Sequence, residues 1–75
     1  MDNPRLLVLR LRTLQMLYRG LANDIANLLD SHNGGTKFMP PEAVEEYRYL
    51  AAKRDEVADE IRLLEKLLFD DSDNT

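Results

Sequence analysis

The sequence predicts an all-α fold: a two-helix antiparallel hairpin of coiled-coil type, with the capacity to dimerise into a four-helix bundle. Three observations predict it. Apolar residues recur at Leu7, Leu11, Leu14, Tyr18, Leu21, Ile25 and Leu28 with spacings that alternate between three and four, the interval that lines one face of an α-helix. The same rhythm returns at Tyr47, Leu50, Val57, Ile61, Leu64 and Leu68. Between the two runs, Asn33, Gly34 and Gly35 interrupt the pattern with residues that favour turns.

Asn3 followed by Pro4 opens the first helix. The Asn side chain can accept a hydrogen bond from a free first-turn amide, and Pro at the first helical position loses nothing by lacking its own N–H. This helix is predicted over about residues 4–31, roughly 40 Å long at about 1.5 Å per residue. Residues 32–40 form the tip; His32, Asn33, Gly34 and Gly35 end the first helix, with the Asn or a Gly able to take the left-handed conformation that closes a helix. Pro40 and Pro41 hold the preceding chain out of helix and start the second helix, predicted over about residues 41–69. Glu42, Glu45 and Glu46 lie near the positive end of its dipole. The hairpin therefore occupies residues 1–69, and the acidic stretch 70–75, which holds no apolar residue, is expected to be a disordered tail.

Pairing outward from the tip sets Ile25 near Tyr47, Leu21 near Leu50, Leu14 near Val57 and Leu11 near Ile61. Arg54 then falls opposite Tyr18, and a guanidinium over the tyrosine ring is expected there.

Charge supports the antiparallel arrangement. The first 20 residues carry four Arg against Asp2, whereas residues 55–75 carry eight acids against two bases. Folding back lays the basic start beside the acidic end. The net charge of −4 argues against a phosphate backbone as partner, so no nucleic acid is expected. Arg10, Arg12 and Arg19 interrupt the richest apolar stretch, so neither a membrane span nor a signal peptide is expected, and the location is expected to be cytoplasmic.

Chemistry-bearing constellations are sparse. There is no cysteine and one histidine, so neither a disulfide nor a zinc site of the usual kind is available, and no metal or other cofactor is expected. Ser31 and His32 adjoin, but a nucleophile and its base need an orienting third group and an oxyanion site. Gly34-Gly35 lacks the Lys and Ser/Thr of a phosphate loop. The chain is read as no enzyme.

Surplus apolar residues point to binding instead. At about 100° per residue, Leu9 and Met16 fall on the far side of the first helix, with Leu6 and Leu17 widening one flank. Leu63 and Leu67 do the same on the second. Burying each in a partner contributes about 1.5 to 3 kcal/mol, and such a patch marks an interface. A 75-residue chain without a disulfide also gains from a second layer of protein, either another copy or a partner. Arg5, Arg12 and Arg19, spaced by seven, form a basic stripe beside the patch, read as a solvated face or as an ion-pair row with acids of the second helix.

The order of a Leu-rich first helix, a tip reading NGGTKFMPPE from Asn33 to Glu42, and Tyr47 opening a helix that continues to Ile61 and Leu64 resembles the small co-chaperones of type III secretion needle subunits. That resemblance implies a cytoplasmic hairpin that docks on a tetratricopeptide-like chaperone through Leu6, Leu9, Met16, Leu17, Leu63 and Leu67. The run EEYRYLAAKRDEVADEIRLLEKLL is similar to the coiled-coil domain of Gre-type transcript cleavage factors. This second likeness implies entry into the RNA polymerase secondary channel. The segment from His32 to Met39 carries no acid, so such a binder would lack cleavage activity. A third reading, independent of any resemblance, is a self-associating four-helix module, and a homo-oligomer is expected for the isolated chain.

Overall fold

The computed structural model describes residues 3–69; the acidic stretch 70–75 lies outside the described residues. Two helices, α1 (Pro4–Asp30) and α2 (Pro41–Phe69), are joined by a tip that contains one short 3₁₀ turn, Thr36–Phe38. No strand occurs among the described residues, and the helices pack on one another as a hairpin.

Each helix end has a local cause. The Asn3 side chain accepts from the amide of Arg5 at 2.9 Å, with Pro4 immediately following. At the other end of α1 the Ser31 hydroxyl donates to the Asn27 carbonyl at 2.9 Å, and the amides of His32 and Gly34 both donate to the Leu29 carbonyl. Asn33 (φ 64°) and Gly34 (φ 84°) are both left-handed, so two successive residues turn the chain out of the helix while satisfying carbonyls that would otherwise be orphaned. Helix α2 begins on the carbonyl of Pro40, which accepts from the amides of Ala43 and Val44.

The antiparallel register is read from what touches. Leu11 and Leu14 pack with Val57 and Leu64, flanked by the half-buried Leu7, Leu21, Ile61 and Leu68. Across the same end Arg10 reaches Glu60 at 2.8 Å. Nearer the tip, Ile25, Met39, Ala43 and Leu50 are also buried. Met39 lies in the 32–40 tip, outside both heptad rows, and its burial has no counterpart in the periodicity. The 3₁₀ turn, closed by the Met39 amide donating to Thr36 at 3.2 Å, brings the chain back so that Met39 is buried.

One expectation is corrected. Arg54 does not lie over Tyr18. The ring shares a shallow depression with Ala58, Ile61 and Arg62, while Arg54 makes an ion pair with its neighbour Asp55 at 3.5 Å. Helical side chains lean toward the N-terminus of their own helix. In an antiparallel pair Tyr18 therefore leans away from the tip and Arg54 toward it, so residues level on the backbone part at their ends. The cation that does stand over a ring is Lys37, 5.6 Å from the centroid of Phe38. Of the two readings of the arginine stripe, a solvated face or an ion-pair row with α2, the described residues fit the first: Arg5, Arg12 and Arg19 are exposed. Among the described residues the interhelical ion pair is Arg10 with Glu60, and no carboxylate lies within 4 Å of the Arg5, Arg12 or Arg19 guanidinium.

Candidate protein-docking surface

All six leucine and methionine side chains singled out from the sequence are exposed: Leu6, Leu9, Met16, Leu17, Leu63 and Leu67. Met16 retains 72% of its accessible surface and Leu6 61%, values at which neither contributes to the hairpin's own core. The Arg10–Glu60 pair fixes how they are distributed. At about 100° per residue, Leu6 and Leu17 lie on the same flank of α1 as Arg10, and Leu63 and Leu67 on the same flank of α2 as Glu60. The 2.8 Å contact between Arg10 and Glu60 makes these two flanks one broad face. Leu9 and Met16 stand apart from it, on the back of α1. The six residues are thus two adjoining patches, a flank patch shared by both helices and a back patch belonging to α1.

The back patch is longer than its large side chains suggest. Leu6, at the border of the two patches, is followed by Leu9, Thr13, Met16 and Gly20 at spacings of three, four, three and four, a second heptad row on the outside of α1. All five are exposed. The Thr13 hydroxyl donates to the Leu9 carbonyl at 3.0 Å, so its proton is spent within the helix. At Gly20 no atom lies within 4 Å of the position a Cβ would occupy, leaving a notch in the row. The row ends at Asn23 and Asn27. Counting only large apolar residues hides it, because Thr13 and Gly20 supply two of its five positions.

Other exposed apolar side chains, Phe38, Tyr49 and Phe69, were not anticipated. Phe69 borders an open depression with Asp59, Arg62, Leu63 and Lys66, and its only sequence signal is that it is the last apolar residue before an acidic run. Phe38 lies on the 3₁₀ turn, where no periodicity marks a face.

The polar groups at the tip are occupied in closing α1. The Ser31 hydroxyl is spent on Asn27, and Nδ1 of His32 stands 2.9 Å from the Leu28 carbonyl. A carbonyl only accepts, so that nitrogen carries the proton. Among the described residues no group of three or more His, Asp or Glu side chains converges, and no helix is long and apolar enough to cross a membrane. What the surface offers chemically is apolar contact edged by charge. No protein-family model, no curated protein and no solved structure matches the chain.

Proposed function

We propose that the protein is a non-enzymatic binding module that docks a partner protein on the outer row of α1 and the adjoining flank, through Leu6, Leu9, Met16, Leu17, Leu63 and Leu67. The observation that carries this reading is that helix α1 has two heptad rows, one spent on α2 and the other exposed. Helix-in-groove recognition uses such i, i+3, i+7 anchors, and because these leucines are already partly covered in the hairpin, burying the rest of each contributes about 1 to 2 kcal/mol, less than the full transfer of a wholly exposed side chain. The resemblance to needle co-chaperones supplies the partner class to try first, a helical-repeat chaperone of a secretion system.

Titration calorimetry of the purified chain against such a chaperone tests the assignment. Binding with a negative heat-capacity change is expected, lost when Leu9 and Leu63 are both changed to Asp while helix content by circular dichroism stays within a few per cent of wild type. If the double variant unfolds, these residues belong to the hairpin's core and the surface is misread. A chaperone that does not bind the wild-type chain removes the secretion role.

A further inference from the structure

We propose that the occupant of the outer row is an amphipathic helix of another protein whose apolar stripe is edged by carboxylates, and not a second copy of this chain. The inference rests on the docking surface proposed above and adds the chemistry of what binds there. Arg5, Arg12 and Arg19 each immediately precede a residue of the row, Leu6, Thr13 and Gly20. In heptad terms they occupy the flanking position that runs along one edge of any helix laid on the row, where charge selects the partner. All three are exposed, and no carboxylate of the described residues lies within ion-pair distance of them. The opposite edge is Arg10, engaged by Glu60, and Leu17. One edge of the row therefore carries three cations that no carboxylate of the described residues engages, and the other carries the Arg10–Glu60 pair and Leu17, on a chain whose net charge is −4.

A second copy fits this border poorly in each arrangement. With α1 antiparallel to α1 of the copy about a twofold axis, the flanking positions meet their own kind, arginine against arginine. With the two parallel, flanking positions five residues apart meet, so Arg5 approaches Arg10 of the copy, Arg12 approaches Leu17, and Arg19 alone approaches an acid, Asp24. Like charges so placed oppose pairing. Helix α2 of a copy does carry acids, but its outer surface has no row to match. The positions one turn before Leu63 are Asp59 and Glu60, and the position seven before it is Glu56, so an apolar row of five would meet two leucines and then charge. A partner with apolar residues at heptad spacing and Asp or Glu beside them answers both the row and its border. Thr13, small and with its proton already donated to Leu9, and the notch at Gly20 admit the larger side chains of that partner at close range.

The test uses the full chain and two labelled three-heptad peptides with identical leucine rows, one flanked by Glu and one by Lys, read by fluorescence anisotropy. The Glu-flanked peptide is expected to bind about tenfold more tightly at low salt, as three exposed ion pairs would give, with the ratio shrinking toward one as salt is raised. Changing Arg12 and Arg19 to Glu is expected to reverse the preference, and Leu9→Asp with Met16→Asp to abolish binding of both peptides with helix content retained. Equal binding of the two peptides overturns the charge inference and leaves the docking row standing. Binding of neither overturns the row itself. A dimer of the free chain that Leu9→Asp dissolves overturns the inference in favour of a second copy. Preference for phosphatidylglycerol vesicles over both peptides, lost on the arginine changes, overturns it in favour of a membrane surface.

Discussion

Leu14 and Leu9 lie five residues apart on one helix and are chemically identical, yet Leu14 keeps 3% of its surface and Leu9 keeps 51%. The difference comes from angular position alone, and it makes a prediction at the level of the single side chain. Leu14→Ala is expected to destabilise the hairpin by about 2 to 4 kcal/mol, the range for removing a buried leucine, which in so small a domain leaves a large unfolded fraction. Leu9→Ala is expected to change stability by no more than about 0.5 kcal/mol. Urea denaturation of the two variants followed by circular dichroism checks both, and equal losses would mean that the inner and outer rows have been exchanged. Angular position is legible in the sequence, and spacing alone separates the exposed leucines from the buried ones. Lean is not legible. The spacing of Tyr18 and Arg54 puts their backbones level, but the direction of the Cα–Cβ bond carries their ends apart, and a wheel drawn on residue numbers has no axis on which to show it.

Among the elements, the helices were written plainly and the tip was not. Heptad spacing, the Asn3 cap and the prolines at 40 and 41 each act within a few residues, so α1 and α2 could be read locally. Met39 is buried by the path of the chain through the 3₁₀ turn, Thr36–Phe38, and no periodic signal reports such a path. The tip's two glycines look alike in sequence but differ in backbone conformation. Gly34 has φ 84°, a region that L side chains enter at a cost, whereas Gly35 is extended. Neither has an atom within 4 Å of its would-be Cβ, so conformation alone separates them. Gly34→Ala is expected to lower stability by about 1 kcal/mol. Gly35→Ala is expected to leave it unchanged or raise it by up to about 1 kcal/mol, through the entropy of the unfolded chain. Thermal melts of the two variants decide the matter, and a larger loss for Gly35 would place the left-handed turn one residue later than the structure has it.

Taken as a whole, the molecule measures 52 × 22 × 17 Å, with a radius of gyration of 16.4 Å against roughly 11 Å for a compact domain of its length. The described residues form a rod one layer of helices thick, in which a residue that faces away from the opposite helix is covered by no third described element. That geometry turns the outer row of α1 from a local pattern into a property of the molecule: the hairpin's stability is tied to whatever supplies the missing layer. A ligand that binds only the folded state stabilises it by about 2.7 kcal/mol when present at a hundred times its dissociation constant. The Glu-flanked helix is therefore expected to raise the melting temperature of the wild-type chain in proportion to the logarithm of its concentration, and to leave the Leu9→Asp, Met16→Asp variant where it melts alone. Small-angle scattering of the same mixtures should show the rod thickening at nearly constant length, because the added helix lies alongside α1 and not beyond its end. A rise in melting temperature shared by wild type and variant would mean that the peptide acts elsewhere on the rod. A rod that lengthens would mean that it caps an end, and in either case the outer row would be a solvated surface.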